Sequence, residues 1–224
     1  MKTRKVPVAF TLLEVMIALL LVAVLLAITM GVMGTMKKKA QSVECVSNLR
    51  FIGSATIRFT VDHGGYLPGV RLSETQAGVA SSVSPTVNIN SWNRLTRALA
   101  PYLGTTMPED GSLFVVEAFA CPGIRAIAPE LIDDPTAAVY RLNPFTLPGL
   151  GQNAFGNPSR TTQKESVRLN RILQPATTYM MGDVDREARG VGSWPMTDRP
   201  AHGETRNYLF FDGHVETWPA SREP

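Results

Sequence analysis

Charge is what this chain has little of. Asp, Glu, Lys and Arg make up 18% of its 224 residues, while 44% are hydrophobic. That balance excludes a disordered chain held open by its own charge. The formal net charge is only +3, and its location matters more than its size. Lys2, Arg4 and Lys5 place three positive charges and no acid in the first nine residues, so 10–224 is formally neutral. Glu14 with Lys37, Lys38 and Lys39 contributes +2 to that stretch, which leaves residues 40–224 at −2. A body without a basic field, and with Arg58, Arg71, Arg94 and Arg97 dispersed, excludes phosphate-backbone binding, so no nucleic-acid partner is expected.

Other absences narrow the function further. There is no glycine-rich phosphate loop, no G-x-S-x-G elbow and no H-E-x-x-H pair, which removes the motif-bearing nucleotide, hydrolase and zinc-protease classes. No internal repeat occurs. The only cysteines are Cys45 and Cys121, and neither sits in a nucleophile setting. No enzyme activity is expected.

What is present is a long apolar run. Among the twenty-seven positions 10–36, only Thr11, Glu14, Thr29, Gly31, Gly34 and Thr35 fall outside the hydrophobic set. About 20 apolar residues suffice to span a bilayer as helix. Three readings compete: a cleaved secretory signal, a plain anchor, and a segment in which Glu14 has work to do. The run is long for a signal and no clean A-x-A site follows it. A carboxylate in lipid costs a few kcal/mol, so an intramembrane Glu is a functional candidate by default.

The residues Val8-Ala9-Phe10-Thr11-Leu12-Leu13-Glu14-Val15-Met16-Ile17-Ala18 resemble the type IV prepilin N-terminus. The resemblance implies a basic leader, 1–9, cut between Ala9 and Phe10. Phe10 would then be N-methylated, and Glu14 would stand at the fifth mature position. Ala9 replaces the usual Gly; it too is small. The implied partners are a prepilin peptidase that is also an N-methyltransferase, an inner-membrane assembly platform and other pilin-like subunits. The resemblance further implies a single pass, with the N-terminus cytoplasmic and the head periplasmic. The new amine of Phe10 and the Glu14 carboxylate of a neighbouring subunit would neutralise each other in lipid.

Beyond Lys37–Lys39 the helical period continues. Cys45, Leu49, Ile52, Thr56 and Phe59 recur at spacings of about 3–4, one helix face. Asp62-His63-Gly64-Gly65 is a C-terminal stop. The spacing predicts one helix over 10–61, its half 10–36 in the membrane and its half 37–61 outside. Residues 62–224 are the head. Within it a short helix is predicted over 93–103, where Trp92, Leu95, Leu99 and Leu103 share a face that Pro101 interrupts. Strands are predicted over 113–120, 138–142 and 177–181, and a loop over 143–163. Asp212-Gly213 predicts a two-residue turn in a hairpin over 206–218, with Phe210 opposite Val215 and Tyr208 opposite Thr217, that face lying on the helix stripe.

Nine residues separate His202 from Asp212-Gly213. With the prepilin motif, this spacing resembles the H-X9-DG class of pilin-like proteins, as do Cys45-Val46-Ser47-Asn48-Leu49-Arg50 with Ile52-Gly53, Asp62 to Pro68, and Phe119-Ala120-Cys121-Pro122. His202, Asp212 and His214 have ligand chemistry, but their spacing matches no ligand signature. We expect Asp212 to serve the turn and His202 to brace the hairpin. Pseudopilins of secretion systems often hold calcium in a C-terminal loop, and Asp183, Asp185 and Asp198 supply oxygen ligands of the kind calcium takes. The alternative is a solvated loop with the acids paired to Arg186 and Arg189. We expect no cofactor, with calcium the alternative. Cys45 and Cys121, 76 positions apart, are either bonded, if the head lies outside the cytoplasm, or two separate buried thiols.

The resulting expectation is an α+β, pilin-like fold, a long N-terminal helix packed on a small antiparallel sheet. The resemblance implies a pseudopilin, a filament subunit of a type II secretion system, or alternatively a type IV pilus subunit in adhesion, motility or DNA uptake. A membrane-tethered enzyme or metal-binding head is the reading from a different class.

Overall fold

The computed structural model describes residues 11–69, 82–88, 94–156, 165–189 and 191–222. Ala9 and Phe10, the expected processing site, and Trp92 lie outside the described residues. The chain divides into two compact units between Ala40 and Gln41. Helix α1, Leu12–Asp62, runs through both.

From Leu12 onward the described part of the first unit is all helix. Its start is a capping box: Thr11 N–H donates to Glu14 Oε2 at 2.8 Å, and Glu14 N–H donates back to Thr11 Oγ1 at 3.3 Å. The Thr11 hydroxyl also donates to Glu14 Oε2, at 2.9 Å. Each large apolar side chain from Leu12 to Ile28 is between 47% and 81% exposed. Among the described residues, no helix is long and apolar enough to cross a membrane. The expected span, 10–36, begins outside the described set.

The second unit builds its core on the later part of α1. Cys45, Leu49, Ile52, Thr56 and Phe59 are all at most 3% exposed, as the spacing predicts. The buried Thr56 hydroxyl is satisfied by donating to Ile52 O at 2.9 Å. The helix ends where Gly64 and Gly65 take φ of +64° and +87°. Gly65 N–H closes on Thr60 O at 2.7 Å, a left-handed cap that a side chain at either glycine would strain.

Opposite the helix lies a five-stranded antiparallel sheet. Its strands are β1 (Ser82–Val83), β4 (Tyr140–Leu142), β5 (Tyr179–Asp183), β6 (Thr205–Phe210) and β7 (Val215–Pro219), adjacent in that order. A separate pair joins β2 (Thr86–Val87) to β3 (Phe114–Val115). Short helices α2 (Arg94–Leu99), α3 (Pro122–Ile127) and α4 (Glu130–Asp133) fill the connections. The fold is thus α+β, a helix packed on an antiparallel sheet.

Several local expectations change. The predicted strand 113–120 shrinks to β3, followed by a 3-10 turn at Glu117–Phe119. Phe119, Ala120 and Cys121 are all buried, and a strand alternates faces, so three consecutive residues reach one core only if the chain turns. The helix predicted over 93–103 stops as α-helix at Leu99 and continues as a 3-10 turn, Ala100–Leu103, with Pro101 in its first turn. Proline has no N–H to continue the α ladder. Helices α3 and α4 were not foreseen, being only one or two turns long.

The hairpin is shifted by one residue. Val215 faces Leu209, and Thr217 faces Asn207. The loop is longer than two residues: Gly213 N–H donates to Phe210 O at 3.0 Å and Phe210 N–H to His214 O at 2.9 Å. A type I′ turn would need positive φ at Asp212 as well. Among the described residues only glycines have it, and Gly213 adopts +91°. The chain takes the alternative, a type I turn followed by a left-handed glycine. The shift changes which face meets the helix. Leu209 lies against α1, whereas Tyr208 and Phe210 turn to the other face, where both meet the Trp218 ring and Tyr208 also meets Tyr179 edge-on.

Candidate functional site

Four elements bring their chemistry to one buried point. Cys45 comes from the core face of α1, Cys121 from the residue before α3, Asp183 from the end of β5, and His202 from the turn before β6. Cys45 and Cys121 are joined by a disulfide, with Cα atoms 5.3 Å apart. It ties the helix to the head. His202 Nε2 lies 3.3 Å from Cys121 Sγ and 3.7 Å from Asp183 Oδ2. Its side chain is only 2% exposed.

Backbone shape makes room for the ring. A Cβ placed on Gly123 would come within 2.7 Å of His202 Cε1, so any side chain there would displace the imidazole. Cys121-Pro122-Gly123 is therefore the seat of His202, with Pro122 at the first position of α3, where its missing N–H costs nothing.

Electrostatics follow from burial. Desolvation disfavours charge on His202 and lowers its pKa. Desolvation also pushes Asp183 up to about 7, against the lowering effect of two hydrogen bonds from Asn207. Those bonds run from the Asn207 backbone N–H, at 2.8 Å, and its side-chain amide, at 2.9 Å, both to Oδ2. The other oxygen, Oδ1, is buried with no hydrogen-bond partner among the described residues, as is the Tyr140 hydroxyl. Burial, and then the nearby Asp183, raise the Tyr140 pKa.

Next to this point is a second buried unit. Asp185 and Arg206 are each 1% exposed and form a two-pronged pair at 2.7 and 2.8 Å. Arg206 Nη1 also donates to Ala220 O at 2.7 Å. The counterion of Asp185 is thus Arg206, not the expected Arg186 or Arg189. Asp198 is exposed. Asp183, Asp185 and Asp198 are not gathered into a ligand group: the one triad of His, Cys, Asp or Glu among the described residues whose ligand atoms come together is Cys45, Cys121 and His202.

His202, Asp212 and His214 separate in the same way. Asp212 Oδ1 accepts from the His214 backbone N–H at 3.1 Å and binds the ring Nδ1, while the ring Nε2 meets Glu216 Oε1 at 3.3 Å. Burial lowers the His214 pKa, but the bonds to Asp212 and Glu216 outweigh it and the net shift is upward. This is turn chemistry at the hairpin tip. The hairpin tip sits on α1 at Gly53: a Cβ there would come 2.9 Å from Leu209 Cδ1 and 3.4 Å from Gly213 Cα, so Gly53 lets helix and hairpin touch.

The dispersed motif pieces therefore meet in two places, Cys45 with Cys121 to Gly123 and His202, and Gly53 with Gly213. Sequence reasoning missed Asp183 as the neighbour of His202, Asn207 as its clamp and Arg206 as a buried cation. The only available signal was a charged residue inside an otherwise apolar strand. Both cysteines are fully buried. No family model, curated protein or solved structure matches the chain.

Proposed function

We propose that this chain is a pilin-like filament subunit whose work is packing rather than chemistry. The observation that supports it most is the combination found on a single helix. A prepilin-like sequence, Phe10 to Ala18, leads into the 51-residue α1. The first stretch of α1 exposes a continuous apolar surface, and its later stretch is the spine of a β-sheet head.

In this reading the leader 1–9 is removed, the apolar stretch holds the subunit in the inner membrane, and the head stands in the periplasm. On assembly the apolar stretches bundle, and heads form the surface. The pseudopilus of a type II secretion system is the assembly we favour. A head outside the cytoplasm is in keeping with the Cys45–Cys121 bond. The closed disulfide–histidine point gives the helix a rigid attachment to the head, which a subunit under axial load in a filament needs.

Mass analysis of the N-terminus of the chain isolated from its native membrane tests the reading. We expect a chain beginning with methylated Phe10. An unmethylated chain that still begins at Met1, in cells with an active prepilin peptidase, overturns it.

A further inference from the structure

The disulfide has neighbours that a purely structural bond does not require. The sulfurs of Cys45 and Cys121 and a ring nitrogen of His202 lie within 4.8 Å of one another. Asp183 Oδ2 adds a carboxylate 3.7 Å from the same Nε2. We propose that the reduced chain binds one zinc-class divalent ion through Cys45, Cys121 and His202, with Asp183 as fourth ligand. The same side chains would then be a disulfide in one redox state and a metal centre in the other.

The spacing favours this. Tetrahedral zinc holds sulfur at about 2.3 Å and imidazole nitrogen or carboxylate oxygen at about 2.0–2.2 Å, which sets ligand atoms roughly 3.3–3.8 Å apart. Two of the distances, His202 Nε2 to Cys121 Sγ at 3.3 Å and to Asp183 Oδ2 at 3.7 Å, already lie in that range. The two sulfurs must separate once their bond is broken, and the Asp183 carboxylate, which lies outside the 4.8 Å group, must close toward them. Thiolate, imidazole and carboxylate are each donors that zinc takes.

The surroundings also suit an ion. Asn207 fixes the Asp183 carboxylate through two donors on Oδ2, and Asn207 is itself held by Thr217 Oγ1 at 2.7 Å. Such outer partners orient ligands. Asp183 Oδ1 is buried and unpartnered among the described residues, a polar atom that a cation would satisfy. Gly123 leaves the imidazole its place. The chemistry balances. A two-electron reductant of the thiol or phosphine class breaks the sulfur–sulfur bond and is itself oxidised, and each sulfur gains a proton. The ion then displaces those two protons as it binds the thiolates.

The test uses the full chain in detergent micelles, reduced with a phosphine without oxygen and titrated with cobalt(II) as a coloured substitute for zinc. We expect one equivalent to give intense visible bands of a tetrahedral ion and a near-ultraviolet thiolate-to-cobalt band. Zinc should bleach both, and the oxidised chain should show neither. Asp183→Asn should weaken binding about 10–100-fold, and His202→Ala at least as much. Circular dichroism of both oxidised variants checks that they fold. A reduced chain with no thiolate-to-cobalt band, or equal affinity in wild type and both variants, overturns the proposal. So does a reduced chain that unfolds and is not refolded by the ion, because binding energy at such a site is folding energy.

Discussion

Two stretches of one helix differ in how they treat the same kind of residue. From Leu12 to Ile28 every large apolar side chain is at least 47% exposed; from Cys45 to Phe59 the apolar stripe is at most 3% exposed. Helix propensity does not separate them, since both are helical. The difference lies in pattern. The later stretch interleaves Ser47, Asn48, Arg50 and Ser54 with its stripe, so one face can be buried while the other stays wet. The earlier stretch is apolar all round, and a sheet can cover only one side of a helix. On the reading proposed above, lipid or neighbouring helices cover that surface.

Perturbing the first stretch should therefore act on assembly, and perturbing the second should act on stability. The largest effect is expected from Glu14→Gln. Glutamine at this position keeps the capping box with Thr11 and removes only the charge. Processing should continue while filament incorporation, read by shearing and immunoblotting, falls to background. Glu14→Ala loses the Glu14 side-chain half of the capping box as well, while Thr11 Oγ1 keeps its bond from the residue-14 N–H. Wild-type incorporation of the Gln variant would reduce Glu14 to a capping residue.

In the head, effects should be graded. Asp185→Ala leaves Arg206 charged and buried, and should cost about 3–5 kcal/mol in a urea titration. Replacing both cysteines by serine should cost about 4.5 kcal/mol, the chain-entropy value for a loop of this length. Gly123→Ala must push His202 out of its seat. We expect about 1–3 kcal/mol, and a loss clearly smaller than that of Asp185→Ala. If any of these head variants blocks processing without destabilising the head, the division between stretches fails.

The last effect is spread over pH instead of residing in one variant. Asp183 has a folded pKa of about 7 against an ordinary 3.8, so the folded state holds its proton more tightly. Its contribution to stability is fully present below about pH 3.8 and is lost as pH rises through about 7, at no more than about 1.4 kcal/mol per pH unit. His202 acts in the opposite sense. Its pKa is lowered by burial, so its contribution is lost as pH falls below the ordinary 6.5. Thermal melts of wild type and Asp183→Asn between pH 4 and 7 isolate the first effect. Stability of the variant relative to wild type should improve as pH rises, and a constant difference would remove the titration from Asp183.

Much of the fold was legible because it rests on local rules. The stripe Cys45, Leu49, Ile52, Thr56 and Phe59, the stop at Gly64-Gly65 and the existence of a hairpin at Asp212-Gly213 all follow from periodicity and turn chemistry. The hairpin register did not, because Asp-Gly serves two turns that differ by one residue, and the choice depends on which φ Asp212 adopts. Thr11-x-x-Glu14 was readable as a capping box, yet the prepilin resemblance drew attention to its charge instead. The acids illustrate a different limit. Asp183, Asp185 and Asp198 look alike in sequence, but one faces a histidine, one an arginine and one solvent.

The sequence by itself determined a helix with two surfaces, one apolar all round and one striped, together with a neutral body and a mildly acidic head. These are properties of composition and spacing, and they do not depend on distant residues. Only the tertiary structure decided that Cys45, Cys121, Asp183 and His202 share a single buried point. The reason is that their proximity comes from strand order and loop path. Those are settled by which apolar surfaces can be covered together, and a pattern along one segment carries no record of what another segment brings to meet it.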